Sequence, residues 1–406
     1  MDIQDELVRL RHTLHQEPEL GLTLPRTQEK LLAALDGLPL EISTGTRLSS
    51  ITAVLRGGRP GPTVLLRADM DALPVQERVA VPYRSRIDGR MHACGHDLHM
   101  AMLVGAAHTL AARRESLAGD VVFMFQPGEE GYEGAKLMIE EGVLDASGSR
   151  PVAAYGMHVF ATMVPTGLFL TRGGPILAAA DTFRVTVRGR GGHGSAPHRA
   201  LDPIQAGCEI VSQLQTYVTR NFDVFDPVVV TVGQFHGGTA DNVIPDDCHF
   251  DATIRSFSAD TRARVKEGVT RLARGIAEAH GLTAECSFGI GYPVTVNDEA
   301  EAVFAADTVR ELLGEERYFP MPQPATGSED FSFVLNEVPG AFLVLGACPS
   351  GQDPVGAPSN HSPEAAFDDG VLADGAALLT ALATRRLEAA ATMPAGGLGE
   401  LSELTS

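Results

Sequence analysis

The sequence of 406 residues predicts an α/β protein in which an α+β domain interrupts a largely parallel sheet. Up to residue 179, short runs rich in branched apolar residues alternate with helical patterns, which is typical of a parallel sheet covered by helices. The pattern changes over 180–290, where strictly alternating strands begin, and it returns over 291–390. We therefore expect one domain made of 1–179 and 291–390, an inserted domain between them, and a loose tail at 391–406.

Hydrophobic spacing predicts the individual elements. Ile3, Leu7, Leu10 and Leu14 recur at helical intervals, whereas ITAVLRG and TVLLR are short and rich in branched side chains, as buried strands are. The expected elements of the first part are, in order, a helix from about residue 3 to 14, a helix at 27–38, these two strands, a helix at 98–112, the strand DVVFMFQP and a helix at 134–141.

The middle block differs because TFRVTVRGR alternates between apolar and polar residues, as a half-exposed strand does. Its expected elements are this strand, a helix at 202–219, the strands PVVVTVGQF and CHFDATIRSF, a helix at 261–280 and a strand at 283–289. Two helices beside four strands make a compact α+β unit. The last part is expected to add a helix at 299–313, the strand AFLVLGA and a helix at 369–387.

Composition excludes several functions. The chain carries 52 acidic and 32 basic residues, a net charge of -20, so its surface repels phosphates and nucleic acid is not an expected partner. No apolar run approaches the ~20 residues that cross a bilayer, so no membrane partner is expected, and the N-terminus lacks the layout of a secretory signal. Five scattered cysteines do not resemble a secreted disulfide framework. The expected compartment is the cytoplasm.

Two polar clusters follow predicted strands. RADMDALPVQE places Asp69 and Asp71 directly after the TVLL strand, and FQPGEEGYEGA places Glu129 and Glu130 after the next one. Ligands in open α/β sheets bind at the carboxyl ends of strands, although loop-capping aspartates or a solvated acidic loop would give the same residues. Two adjacent carboxylates favour a nearby cation, with one as a metal ligand and the other as a proton shuttle.

The strongest signal is HACGHDLH at 92–99, where three histidines, a cysteine and an aspartate lie within eight residues. The segment precedes a helix, so Cys94 and His96 are expected to face one cavity. Thiolate and imidazole suit zinc, manganese, cobalt or nickel rather than calcium. A redox role for Cys94 is the alternative, because a helix N-terminus favours its thiolate. His158 and His361 are isolated, and they become candidate ligands only beside these clusters.

Two glycine-rich loops of the middle block each carry a side chain that can donate a hydrogen bond to an oxyanion. These loops are GRGGHGSAPH, with His193, and GGTADNVIPDD, with Asn242. Plain turns would explain the glycines equally well, so both residues are candidates only.

Eight motifs follow one another along the chain in this order: ADMDALPVQE, HACGHDLHMA, FQPGEEGYEGA, GMHV, GGHGSAPH, NVIPD, GSEDFS and HSPEAAF. With them the chain resembles the amidohydrolase branch of the aminoacylase/carboxypeptidase-G-type di-metal family, from about Leu7 to Leu387. That branch includes hippurate hydrolases, N-acyl-amino-acid deacylases and auxin-conjugate hydrolases. The resemblance implies two divalent metal ions per subunit, manganese or zinc, with cobalt or nickel as alternatives. It also implies a homodimer or higher homo-oligomer in which the inserted domain carries the dimer contact.

The resemblance assigns a role to each candidate residue. The implied metal ligands are Cys94, His96, Glu130, His158 and His361. Cys94 would bridge the ions at a position that many relatives fill with aspartate, and Asp69 stands where other branches have a ligand histidine. The implied catalytic and binding residues are Glu129 as general base, Asp71 as the carboxylate that orients the site, His193 (often reaching a neighbouring subunit's site) and Asn242 at the developing oxyanion, and Arg255, in ATIRS, at the substrate carboxylate.

The implied activity is hydrolysis of a small-molecule N-acyl amino acid, hippurate-like or N-acetyl-amino-acid-like, to a carboxylic acid and an amino acid. A dipeptide or an N-acetyl biosynthetic intermediate is an alternative substrate, since the sequence discriminates poorly between them. A catalytically inactive metal-binding scaffold on the same fold is the alternative from another class, although every expected catalytic position is filled.

Overall fold

The computed structural model describes residues 3–392. The chain divides into two compact units: the first takes the part up to Gly174 with 296–322 and the part from Phe333 onward, and the second takes 175–295 and 323–332. The tail expected at 391–406 lies outside the described residues from residue 393 on.

Within the described residues the helices are α1 Ile3–His15, α2 Pro25–Leu35, α3 His96–Ala112, α4 Gly134–Glu140, α5 Pro203–Asn221, α6 Ala259–Ala279, α7 Glu299–Leu313, α8 Ser332–Leu335 and α9 Leu372–Thr392. None of these helices is long and apolar enough to cross a bilayer.

The strands are β1 Leu40–Thr44, β2 Ile51–Leu55, β3 Arg59–Asp69, β4 Ala118–Gln126, β5 Pro151–Phe160, β6 Phe169–Thr171, β7 Gly174–Leu177, β8 Ala179–Arg188, β9 Gly192–His193, β10 Val229–Gly237, β11 Val243–Ile244, β12 Asp247–Ser256, β13 Thr283–Phe288, β14 Thr295–Asn297, β15 Tyr318–Pro320 and β16 Gly340–Gly346.

The first unit is built on an eight-stranded sheet in the order β1-β2-β4-β3-β5-β16-β6-β15. Its central strands β4, β3, β5 and β16 are parallel, whereas antiparallel pairs join β1, β2 and β4 on one side and β16 to β6 on the other. Strands β2 and β16 are buried at every position, as strands covered on both faces are. The predicted α/β fold class with a largely parallel sheet is confirmed.

Helix α3 is buried along almost its whole length, because its sequence is apolar on every side. One of its few polar residues is the acidic Asp97 in its first turn, which is fully buried and paired. Asp97 Oδ2 accepts hydrogen bonds from Arg11 Nε at 2.9 Å and from His15 Nδ1 at 2.8 Å, both from α1. These contacts fix the start of α3 against α1. The predicted ligand His96 is the first residue of α3, and the predicted ligand Cys94 lies two residues before it.

The second unit has a four-stranded antiparallel sheet in the order β10-β12-β8-β13. Buried and exposed residues alternate along β8 and β12, so the apolar residues of both strands share one face. That face packs with α5 and α6 around Phe183 and Phe250. Two helices beside four strands match the expected content of the middle block.

Candidate metal centre

The carboxyl ends of three adjacent parallel strands meet at one edge of the sheet. Strand β3 ends at Asp69, β4 ends at Gln126 shortly before Glu129 and Glu130, and β5 carries His158 near its end. Side chains from these strand ends therefore converge on one region of the first unit, which is the usual place for a ligand in an open α/β sheet.

A left-handed glycine shapes the turn that carries two predicted ligands. Gly95 has a φ of 86° and immediately precedes α3. A Cβ on Gly95 would lie 2.4 Å from Val159 Cγ2, so both the backbone conformation and the space require glycine. The turn places Cys94 just before the helix and His96 at its first residue, and both side chains are buried.

The Cys94 thiol lies at the middle of the cluster. Its Sγ is 3.3 Å from His158 Nε2 and 3.2 Å from His361 Nε2. Cys94 belongs to two groups of three side chains whose ligand atoms all lie within 4.8 Å of one another, one with His96 and His158 and the other with Glu130 and His361. The structure thus brings the five predicted ligands together, with Cys94 common to both groups.

Hydrogen bonds behind two of the rings fix their orientation. His96 Nδ1 lies 2.8 Å from the carbonyl oxygen of Asp71, and His158 Nδ1 lies 2.8 Å from the carbonyl oxygen of Val159. Because a carbonyl oxygen only accepts, each Nδ1 donates the proton and the lone pair of the neutral ring is on Nε2. Both Nε2 atoms belong to the cluster, and this is how metal-binding imidazoles are held in proteins.

The cluster attracts positive charge. Among the described side chains, His96 Nε2 and Glu130 Oε1 are buried with no hydrogen-bond partner, and the 3.2 Å approach of His361 Nε2 to Glu130 Oε1 lacks hydrogen-bond geometry. Contacts with Cys94 and Glu130 raise the pKa of His361 to about 10. Burial, followed by the charge of Glu130, raises the pKa of the Cys94 thiol. Buried atoms without partners in a set of thiol, imidazole and carboxylate donors fit two divalent cations.

Asp71 holds the two adjacent glutamates in place. Its Oδ1 accepts a hydrogen bond from the amide of Glu129 and its Oδ2 accepts one from the amide of Glu130, each at 3.0 Å. The Glu129 and Glu130 carboxylates each have an oxygen within 4.8 Å of a ring nitrogen of His96. Asp71 therefore orients the loop, while Glu129 lies beside the cluster of which Glu130 is a member.

Arg67 and His99 form a buried support that the sequence did not reveal. Asp69 Oδ1 lies 2.6 Å from His99 Nδ1, and Asp69 Oδ2 accepts from Arg67 Nη1 at 2.7 Å. Burial alone would raise the pKa of Asp69, but the charges of His96, His99 and Arg67 hold it well below its usual range. His99 Nε2 accepts from the amide that follows His158, at 2.8 Å. Because both nitrogens of His99 are engaged, His99 supports the strand end and is not a metal ligand in this arrangement.

Asn360, which was not predicted either, connects three segments that carry predicted ligands through its hydrogen bonds. Its Nδ2 donates to the carbonyl of Val159 at 2.9 Å and lies 3.3 Å from the carbonyl of Cys94. Its Oδ1 accepts from the amide of Ala161 at 2.9 Å. The next residue, His361, has a φ of 71°, which is unfavourable for any side chain with a Cβ. The contacts of Asn360 therefore hold His361 in a conformation that the backbone alone does not prefer.

We expect Asn360→Ala to weaken metal binding about 10- to 100-fold, the range usual for residues that orient metal ligands. The affinity is measured by competition with a chelator. Ser359→Ala, an exposed change at the neighbouring residue, is the control and should leave the affinity unchanged. An Asn360→Ala protein that binds metal as tightly as the wild type would show that the carboxamide does not position the ligands.

The second unit brings His193 and Asn242 together but not Arg255. Strands β9 and β11 pair so that His193 lies opposite Val243, and the amide of Gly194 donates to the carbonyl of Asn242 at 2.8 Å. Both candidate side chains are exposed. Arg255 lies near the far end of β12, roughly 26 Å of strand beyond the β12 residue closest in sequence to Asn242. Burial lowers the pKa of Arg255.

Known proteins resemble this chain over most of its length. A family model described as peptidase family M20/M25/M40 matches residues 65–385. Thermostable carboxypeptidase 2 of Saccharolobus solfataricus is 37% identical over 379 residues, which cover 92% of this chain and 94% of the relative. IAA-amino acid hydrolase ILR1-like 4 of Arabidopsis thaliana is 37% identical over 390 residues, which cover 95% of this chain and 87% of the relative.

A solved structure resembles it as well. The crystal structure of the YXEP protein of Bacillus subtilis, described as a dinuclear metal binding peptidase from the M20 family, has a TM-score of 0.81 and 32% sequence identity. The match covers 95% of this chain and 99% of that chain. The similarity therefore includes both units.

Proposed function

The chain belongs to peptidase family M20/M25/M40, and we propose that it hydrolyses the amide bond of N-acyl amino acids to a carboxylic acid and an amino acid. As a member of this family it is a metal-dependent hydrolase of C–N bonds. The observation that carries the proposal is the shared thiol. Cys94 belongs to both donor groups, and a carboxylate oxygen of Glu129 lies beside them.

The substrate class rests on the relatives and on the site together. The Arabidopsis relative is named an IAA-amino acid hydrolase, which supports an amide between an acyl group and an amino acid. The Saccharolobus relative is named a carboxypeptidase, and this name favours a peptide as the second candidate substrate. An N-acetyl biosynthetic intermediate is a further candidate within the same chemistry.

We assign the two ions to Cys94, His96, Glu130, His158 and His361, with manganese or zinc as the metal and cobalt or nickel as alternatives. When bound, the ions supply Lewis acidity, which lowers the pKa of a water molecule and polarises the scissile carbonyl. The carboxylate of Glu129 takes the proton of the attacking water and then delivers it to the leaving amine. Asp71 keeps Glu129 in position for both transfers through the backbone amide.

We assign His193 and Asn242 to the developing oxyanion. The assignment of Arg255 to the substrate carboxylate stays a prediction from the resemblance, and the roughly 26 Å of strand between Arg255 and the start of β12 argues against it for a substrate of this size. An interaction made mainly in the transition state changes kcat more than KM, so replacing His193 or Asn242 should act mainly on kcat. We further propose that the domain at 180–290 carries a homodimer contact and that the protein is cytoplasmic. The five cysteines of the chain are all unpaired, which supports a reducing compartment.

A substrate panel tests the proposal. Metal-free protein is reconstituted separately with manganese, zinc, cobalt or nickel and assayed with N-acetyl and N-benzoyl amino acids and with dipeptides. We expect kcat/KM for the better N-acyl amino acid to exceed that for dipeptides by at least about tenfold, or 1.4 kcal/mol. A preference for dipeptides would favour the peptidase alternative. Metal binding without hydrolysis of any substrate in the panel would favour an inactive scaffold.

A further inference from the structure

Two loops of the first unit border the metal centre, and we call them the rim loops. The first, 161–165, follows β5 and therefore His158, and the second, 350–359, leads to Asn360 and His361. The amide of Ala161 donates to Asn360 Oδ1 at 2.9 Å, so the first loop begins at a contact with the residue beside a ligand. The rim loops are thus fixed to the two segments that supply the predicted histidine ligands His158 and His361.

The rim loops are also bonded to each other. The amide of Met163 donates to the carbonyl of Pro354 at 2.7 Å, and the hydroxyl of Thr162 donates to the same oxygen at 2.6 Å. Met163 and Val355, the residue after Pro354, therefore lie on neighbouring backbone segments. The two loops are therefore neighbours, and each is close in sequence to a predicted histidine ligand.

Exposed apolar side chains lie on both rim loops. Met163 is 65% exposed and Val355 is 72% exposed. Phe160 is half-buried on the same side of β5 as His158, and the centres of these two rings are 5.5 Å apart. Two exposed apolar side chains on neighbouring loops, with Phe160 next to the predicted ligand His158, can form the apolar wall that surrounds a few polar groups in a ligand-binding surface.

The backbone at Met163 is strained. Its φ is 65°, and the amide of Val164 donates to the carbonyl of Thr162 at 2.8 Å, so Met163 is the central residue of a γ-turn with a positive φ. This type of γ-turn is rare, and glycine would adopt it without the clash that a Cβ causes. The side chain gains little from packing, because most of it is exposed. A strained residue that contributes little to the fold indicates a function for its side chain.

Building on the proposed function, we propose that the rim loops form the acyl subsite, where Met163 and Val355, continued by Phe160 beside His158, contact the acyl group of the substrate. An apolar wall of this kind binds a bulky apolar acyl group, aromatic or branched, and offers little to an acetyl group. The substrate class is then narrower than N-acyl amino acids in general: the preferred substrates carry a large apolar acyl group.

The test compares N-benzoyl and N-acetyl derivatives of one amino acid. Met163→Gly removes the side chain and relieves the γ-turn, so it should fold at least as well as the wild type. We expect the ratio of kcat/KM for the benzoyl to the acetyl substrate to fall about tenfold in Met163→Gly, the lower end of what an apolar contact gives in a specificity pocket. Met163→Leu keeps an apolar side chain of similar size and should restore most of the ratio. Val355→Ser should also lower the ratio of kcat/KM for the benzoyl to the acetyl substrate.

Val303→Ser is the matched control, because Val303 is 60% exposed on α7 and belongs to neither rim loop. It should leave the ratio unchanged. A wild-type protein that prefers the benzoyl substrate, with a ratio unaffected by Met163→Gly and Val355→Ser, would overturn the acyl subsite and leave the proposed function standing. A wild-type protein that cleaves neither N-acyl substrate would overturn the proposed function, and the acyl subsite with it.

Discussion

Replacing Glu129 by glutamine is expected to lower kcat about 10²- to 10⁴-fold, the usual contribution of a positioned general base. Glutamine has nearly the same shape as glutamate, but its amide cannot take a proton from water and return it to the leaving amine. The backbone amide of residue 129 still donates to Asp71, so the loop keeps its conformation. The assay measures kcat together with the number of ions bound per chain, which is expected to stay at two.

The matched control is Glu140→Gln, because Glu140 is an exposed glutamate at the end of α4. Its kcat should equal that of the wild type. If Glu129→Gln kept nearly full activity with both ions bound, Glu129 would have no part in proton transfer. Loss of activity accompanied by loss of an ion would instead make Glu129 a metal ligand.

Replacing Cys94 by alanine is expected to remove metal binding at both positions, because the thiol is common to both donor groups. We expect the affinity to fall by more than about 100-fold, beyond the range for residues that only orient a ligand. Cys94→Asp replaces the soft thiolate with a harder carboxylate and should keep two ions, with affinity shifted from zinc toward manganese. Isothermal titration of the metal-free protein with each metal separates these outcomes.

Cys348→Ala is the control for this pair. Cys348 is 1% exposed and does not belong to either donor group, so its loss removes a buried thiol without removing a ligand. Two ions should bind to it with wild-type affinity. A Cys94→Ala protein that still binds two ions tightly would show that the thiol does not bridge them.

Long buried strands could be predicted from the sequence, because each leaves a strong local signature. DVVFMFQP and AFLVLGA begin within β4 and β16, and each extends one residue beyond its strand. Strands β6 and β15 were not predicted, since each has only three residues and they pair with each other from distant parts of the chain. Helix α9 also continues to Thr392, beyond the predicted end at 387. Local sequence patterns therefore predict the type of a helix or strand more accurately than its first and last residues.

Cys94 and His96 could be named because so many metal-binding side chains rarely occur within a few residues by chance, whereas His158 and His361 are isolated in the sequence and were assigned through the resemblance. The residues that support the ligands could not be named from the sequence. Asn360 is a single polar residue in a loop, and its partners Cys94 and Val159 are 266 and 201 residues away along the chain. His99 was visible in the 92–99 motif, but only the engagement of both its nitrogens separates a support from a ligand.

The position of β16 between β5 and β6 means that the sheet is completed by a late segment of the chain. A nascent chain folds from its N-terminus, and β16 is translated only after the whole stretch from 175 to 332. Until then β5 has an open edge, and the donor group that needs His361 is incomplete. Chains that stop before β16 therefore leave the edge of β5 unpaired, and an unpaired edge is a template for pairing with other chains.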